Sequence, residues 1–169
     1  MNSKSLKDIL RLHGLWTNDD PAGKQAILNG AYLRNAILTG ANLDGANLSK
    51  VNLTEANLTD ANLTDANLTR ADLANANLTR ADLNGANLDG ANLYGAILTG
   101  ANLTGANLTG ADLYGANLAG AILTEAKLDG ADLYRANLYG AILTGANLTG
   151  ALRLGSVILR DKNELNLVG

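Results

Sequence analysis

The sequence has 169 residues and a net charge of −3, with 13 Lys and Arg against 16 Asp and Glu. This small charge gives no basis for direct nucleic-acid binding or for steering a strongly basic partner. Phe and Cys are absent, and a chain without Cys can form neither disulfides nor thiolate metal sites. A conventional core interlocks varied large and small apolar side chains, whereas this chain offers almost only Leu and Ala. We therefore expect a core that is built by repetition.

The first 25 residues predict an N-terminal cap. Ser5 and Asp8 match a capping box and Gly14 can end a helix, so we expect a short helix from about Leu6 to His13. Residues 18–23 are rich in turn-forming residues and should lead the chain into the next segment. The side chains predicted to cover that segment, with the Trp as a plug, are Leu6, Ile9, Leu10, Leu12, Leu15 and Trp16.

An unbroken series of 25 five-residue repeats runs from Ala26 to Gly150. The third position is Leu in all 25 repeats, and the first is Ala in 24 of them, Val51 being the exception. An α-helix is excluded, because residues five apart would differ in phase by about 140° and scatter the Leu side chains over every face. In an extended chain the first and third positions share a face. We therefore predict that Ala and Leu point inward.

The other three positions predict an outer surface and a corner. The second position is Asn in 14 repeats and Asp in 4, and these side chains can bond to nearby backbone. The fifth is Gly in 15 repeats, as a turn with positive φ favours. Each repeat should thus be one strand step followed by one corner. Periodicity alone leaves three, four or five sides open.

The unbroken tandem of Ala-Asn/Asp-Leu-x-x covers 125 of 169 residues and resembles the pentapeptide repeat family, which is abundant in cyanobacteria. The resemblance implies an all-β fold, a right-handed quadrilateral parallel β-helix with four repeats per coil, here with a short N-terminal capping α-helix. On that basis the repeats form about six coils in a rod roughly 30 Å tall. The predicted divisions are a cap and turn over 1–25, the β-solenoid over 26–150, and a degenerate last coil with a C-terminal cap over 151–169.

No catalytic, metal or cofactor site is predicted. The single histidine, His13, has no Cys or second His to act with, and we interpret it as an ordinary residue of an amphipathic helix. Phosphate-binding loops, zinc spacings and calcium loops do not occur in the sequence. No apolar run is long enough for a signal peptide or a membrane span, so we expect a cytoplasmic protein without membrane insertion.

A row of tyrosines is the main candidate for function. Residues 20 apart lie above one another on a four-sided coil, so Tyr94, Tyr114 and Tyr134 should stack about 4.8 Å apart. Asp72, Asn92, Asp112 and Asp132 form a second row on the same face. Two hypotheses stay open, a contact surface for an unknown protein partner and a ladder that only stabilises the solenoid. The candidate surface comprises Tyr94, Tyr114, Tyr134, Tyr139, Asp112, Asp132 and Arg135.

Exposed isoleucines are the candidate for self-association. Ile122 lies above Ile142 at the second position, where Asn is usual, and Ile97 and Tyr139 fall on the adjoining face. Apolar groups that face water suggest a contact. A monomer and a homodimer formed near the C-terminus both stay open.

We predict a non-enzymatic protein-interaction or structural scaffold. The resemblance implies one alternative, a DNA mimic that binds DNA gyrase in quinolone resistance or toxin immunity. That role needs a markedly acidic face and, in resistance proteins, loops that interrupt the coils. This chain has balanced charge and no interruption between Ala26 and Gly150. Regulation of development or transport through protein partners is a third possibility that the family suggests.

Overall fold

A computed structural model describes residues 3–151, which form one α-helix, α1 (Ser3–Trp16), followed by a regular solenoid. The helix extends three residues beyond the predicted range at each end. Ser5, predicted as its N-cap, lies inside its first turn. Of the predicted degenerate coil and C-terminal cap over 151–169, all but Ala151 lies outside the described residues.

Gly14 does not end the helix, in contrast to the prediction. The left-handed conformation that closes a helix occurs instead at Asp19, with φ 55°. Before it, the Thr17 amide still donates to the His13 carbonyl at 2.9 Å. The Thr17 hydroxyl and the Asn18 side-chain amide donate to the Gly14 carbonyl at 3.1 and 2.7 Å. Side chains beyond the helix therefore satisfy its last carbonyls, and Gly14 stays helical.

Each repeat contributes one bridged residue and one turn. All bridges are parallel and join second-position residues 20 apart, from Ile27 with Asn47 to Lys127 with Asn147. An offset of 20 residues means four repeats per coil, which decides the number of sides that periodicity left open. Residues 26–145 make six complete coils, and 146–150 begin a seventh. Each strand is thus reduced to a single bridged position on a flat side.

The backbone of each coil is satisfied by the coils on either side of it. The Leu28 amide donates to the Asn47 carbonyl at 2.8 Å, and the Asn47 amide donates back to Ala26 at 2.9 Å. The Gly30 amide donates to the Ser49 carbonyl at 2.9 Å, so corners are joined as well as sides. The same three bonds recur along the rod, which gives buried backbone groups their partners.

The corners depend on two local features. All 25 fifth positions have positive φ, including ten that are not Gly, such as Lys50 (φ 56°) and Arg135 (φ 59°). Each of the 18 second-position Asn and Asp side chains accepts a hydrogen bond from the fourth-position amide, as Asn57 does from Thr59 at 3.0 Å. These Asx turns favour the left-handed conformation, which Glu125 (φ 58°) also adopts in a repeat that has Ile at the second position.

Leu and Ala fill the interior, as predicted. Between Leu43 and Leu138, every first- and third-position side chain is at most 1% exposed. The two ends of the rod are less covered: Ala31, Ala36 and Ala41 in the first coil, and Leu143 and Leu148 at the other end, are only partly buried. The core is a stack of Leu on Leu and Ala on Ala that needs a cover where it stops.

The helix α1 lies over the N-terminal end of this stack. Leu6, Ile9 and Leu10 pack against the core, and His13 is completely buried beside them. Leu12 and Leu15 are partly buried. Trp16 does not plug the coil: its side chain is 39% exposed, and its ring lies at the rim, stacked on His13 and in contact with Gly45. Within residues 3–151 no helix is long and apolar enough to cross a membrane.

Candidate protein-interaction surface

The tyrosine ladder, defined here as Tyr94, Tyr114 and Tyr134, occupies one corner of three successive coils. The rings of Tyr94 and Tyr114 are parallel within 10°, with centroids 5.2 Å apart. The rings of Tyr114 and Tyr134 are tilted by 46°, with centroids 5.3 Å apart. Sequence reasoning placed these three residues together, and the structure stacks them.

The backbone holds each ring of the ladder in place. The amides of Tyr94, Tyr114 and Tyr134 donate to the side-chain oxygens of Asn92, Asp112 and Asp132 at 3.0, 2.9 and 3.0 Å. Each tyrosine is thus anchored by the Asx turn of its own repeat, and consecutive repeats are joined by the coil ladder. The rings project from a rigid base, although Tyr94 remains 47% exposed.

The row of acidic and amide groups beside the ladder is bridged in sequence from Asp72 through Asn92 and Asp112 to Asp132. Asp72 is held internally, because its carboxylate accepts hydrogen bonds from the Asn92 side-chain amide at 3.0 Å and the Thr54 hydroxyl at 3.1 Å. Asp112 is exposed. The row therefore places negative charge along one side of the aromatic stack.

Arg135 completes the lower end of the ladder. Its guanidinium carbon lies 5.3 Å from the ring centroid of Tyr134, and its Nη1 donates to the Tyr114 hydroxyl at 3.3 Å. A guanidinium over an aromatic ring is attracted by the negative ring face. The ladder thus already binds one cation from its own chain.

Tyr139, predicted to lie close to the ladder, is at the next corner of the coil. Its amide donates to Asn137 at 3.0 Å and its side chain is 55% exposed. Within residues 3–151 no ring contact joins it to the ladder. A step of five residues along this chain turns a corner, which separates Tyr139 from Tyr134.

The isoleucines proposed for self-association are stacked and exposed. Ile122 and Ile142 are bridged, and their side chains are 37% and 49% exposed. Ile cannot accept the Asx-turn bond that Asn makes at the second position, so each of these repeats forgoes it. Self-association through this pair stays a prediction.

A second exposed apolar group lies on the first coil and was missed. Ile27, Tyr32 and Ile37 occupy second positions on three successive sides and are 55%, 80% and 83% exposed. The sequence carried the same signal as at Ile122, an apolar residue where Asn or Asp is usual. It was overlooked because these three residues lie on different sides and do not stack.

His13, interpreted from the sequence as an ordinary residue of an amphipathic helix, also bonds to the first repeat. It is fully buried, and its Nδ1 accepts a hydrogen bond from the Ala26 amide at 3.0 Å. Its Nε2 is buried and has no hydrogen-bond partner in the described part of the chain. Burial lowers the pKa of His13, and the nearby Asp44 offsets this only in part. This histidine joins α1 to the first repeat.

Two exposed ion pairs and an acidic groove complete the polar surface. Arg80 contacts Asp60 at 2.7 Å and Arg34 contacts Glu55 at 2.9 Å. The hydrogen bond from Arg80 lowers the pKa of Asp60. The open groove is lined by Trp16, Thr17, Asp19, Asp20 and Asp44. Among residues 3–151 no three His, Cys, Asp or Glu side chains are grouped so as to hold a metal ion.

The sequence matches a protein-family model described as "Pentapeptide repeats", with eight copies over residues 24–54, 56–93, 86–124 and 117–152. Together these ranges cover most of the chain, including every residue of the solenoid except Glu55. No curated protein matches the chain.

Three solved structures illustrate what this chain is similar to. HetL from the cyanobacterium Nostoc sp. strain PCC 7120, a pentapeptide repeat protein involved in heterocyst differentiation regulation, is 41% identical, with a TM-score of 0.52 over 82% of this chain and 68% of that chain. Rfr23 from the cyanobacterium Cyanothece 51142 is 26% identical, with a TM-score of 0.42 over 94% of this chain and 97% of that chain. QnrB1, a plasmid-mediated fluoroquinolone resistance protein, is 21% identical, with a TM-score of 0.47 over 83% of this chain and 87% of that chain.

Proposed function

We propose that this chain, which belongs to the pentapeptide repeat family, is a non-enzymatic scaffold that binds a protein partner through the tyrosine ladder and the carboxylates beside it. The observation that carries the proposal is the stack of three tyrosines on the outside of an otherwise uniform solenoid. The interior needs only Ala and Leu, so the outer positions can serve recognition.

Tyrosine suits a contact surface of this kind. It combines a large apolar ring with a hydroxyl, and it is enriched at the centres of protein interfaces. The Asx turns fix the base of each ring before any partner arrives, which lowers the entropy cost of binding. The adjacent Asp112 adds charge that can select the partner.

A role in regulation rather than catalysis agrees with HetL, which is described as involved in heterocyst differentiation regulation. Gyrase binding, the alternative implied by the resemblance, is not favoured by any particular feature of residues 3–151. DNA mimicry calls for a markedly acidic face, whereas the net charge is only −3 and the exposed Asp60 and Glu55 are each paired with an arginine. We therefore keep the scaffold as the proposal.

Replacing Tyr94, Tyr114 and Tyr134 together by Ser should abolish partner capture. The wild-type chain, this triple variant and Ile37→Ser, which removes an exposed apolar side chain from another side of the solenoid, are compared as baits in a native lysate. We expect partners that bind the wild type and Ile37→Ser but not the triple variant. Circular dichroism checks that the triple variant keeps its fold.

An unchanged set of captured proteins in the folded triple variant would contradict the proposal. It would leave the ladder with a purely structural role, worth about 0.5–1.5 kcal/mol per aromatic pair.

A further inference from the structure

The geometry points to an arginine side chain of the partner as the group that the tyrosine ladder binds. We propose that this arginine binds at the upper half of the ladder, between the Tyr114 ring and the Tyr94 hydroxyl, beside Gly115 and Asp112. The inference rests on the proposed function and deepens it, because it names the chemistry of the partner.

The lower half of the ladder supplies the pattern for this site. Arg135 lies over the Tyr134 ring and donates to the hydroxyl of Tyr114, one coil earlier. Since the corner repeats every 20 residues, moving this arrangement up by one coil gives the Tyr114 ring, the Tyr94 hydroxyl and the fifth-position Gly115. The upper half therefore offers a guanidinium the same two groups.

The upper level lacks the arginine that the lower level has. A Cβ built on Gly115 would meet no heavy atom within 4 Å, so a side chain can begin at this position, as Arg135 does one coil below, without a collision at its first atom. Within residues 3–151 no side chain donates to the Tyr94 hydroxyl. The Tyr94 and Tyr114 rings are parallel within 10°, whereas the pair beside Arg135 is tilted by 46°.

The Asp112 carboxylate attracts a cation to the upper site, although Arg135 already places one positive charge a single coil below, at the Tyr114 hydroxyl. Asp112 Oδ1 accepts from the Tyr114 amide at 2.9 Å, which holds its carboxylate at the base of that ring. A guanidinium is planar, stacks on aromatic faces and carries several donors, whereas the compact lysine ammonium does not stack in the same way. Arginine thus fits the ring, the hydroxyl and the carboxylate together.

The pairing of a tyrosine ring with a tyrosine hydroxyl one coil above it occurs at one level of the ladder besides that of Arg135. One coil above Tyr94 the same corner carries Ala74, which has neither ring nor hydroxyl. A guanidinium over Tyr94 would find no hydroxyl one coil above it. The ladder therefore has a single open site, and it lies at Gly115.

A variant with an arginine of its own at the upper site tests the proposed geometry of that site. Gly115→Arg is compared with Gly120→Arg, since both glycines have open space around a built Cβ and similar φ of +65° and +66°. Backbone strain is then matched, and the melting temperatures are compared at high salt, because Gly115→Arg alone lies one coil above the positive charge of Arg135. We expect Gly115→Arg to melt about 2–4 °C higher than Gly120→Arg, with a changed near-ultraviolet circular dichroism of tyrosine. Equal melting temperatures and unchanged spectra would overturn the geometry.

Binding in trans is tested by nuclear magnetic resonance on the full chain. Acetyl-Gly-Arg-Gly-amide should shift the amide signals of Tyr94, Tyr114 and Gly115 more than acetyl-Gly-Lys-Gly-amide does. These shifts should be lost in Gly115→Arg and kept in Gly120→Arg. Equal or scattered shifts with both peptides, or shifts that persist in Gly115→Arg, would overturn the arginine site. If partner capture still depends on the tyrosines in that case, the scaffold proposal stands while this inference fails.

Discussion

His13 connects α1 to the solenoid through a single ring. Its Nδ1 accepts the Ala26 amide at 3.0 Å, which places the proton of the neutral ring on the buried Nε2. Protonating Nδ1 would remove that hydrogen bond and put a charge in an apolar site. The sequence could not predict this, because the role of His13 depends on how α1 sits on the first coil.

The stability of the chain should fall as pH falls through the range where an unperturbed histidine titrates. Burial lowers the pKa of His13 below its ordinary 6.5, so the unfolded chain binds the proton more readily than the folded one. The contribution is complete well above pH 6.5 and is lost progressively as the pH falls from about 6.5 through the lower pKa of the folded state. Urea unfolding at several pH values measures it. His13→Asn, in a chain without other histidines, should be flat across this window; an equal slope in both proteins would contradict the assignment.

The helix α1 is the element that the sequence described least accurately. A capping box at Ser5 and a stop at Gly14 were reasonable signals, but Asp19 and the side chains of Thr17 and Asn18 end the helix later. After the turn, the chain passes close to the helix end at Gly23. Local signals predicted that a helix exists, and tertiary packing decides where it ends.

Two glycine substitutions should have opposite effects on this element. A Cβ on Gly14 would meet no heavy atom within 4 Å, so Gly14→Ala should stabilise by about 1 kcal/mol through helix propensity. A Cβ on Gly23 would collide with the backbone of Trp16 and Leu15, and Gly23→Ala should destabilise by about 1–3 kcal/mol. Urea unfolding of both variants measures the free energies. Changes of the same sign would refute the packing of the turn against α1.

Across the whole molecule, the first and third positions of the repeat form the core, and the outer positions are free to serve a function. First and third positions could be predicted as core because Leu and Ala recur without a slip, and the structure buries them. Tyr94, Tyr114 and Tyr134 could be predicted to stack once four sides were assumed, since they lie 20 residues apart. Arg135 could be placed on the same surface, but its contact with the Tyr134 ring could not be predicted, because such a contact depends on side-chain conformation. Function therefore depends on the few outer residues that depart from the repeat.

The most direct test of the scaffold proposal is to place a photoreactive cross-linker on single outer positions of the intact chain. Benzoylphenylalanine at Tyr114, on the ladder, is compared with the same group at Asn57, a second-position residue on another side of the solenoid. After irradiation in native lysate, we predict a defined cross-linked protein from position 114 and none from position 57. Equal cross-linking at both positions, or a product at position 57 alone, would contradict the assignment of the tyrosine ladder as the contact surface.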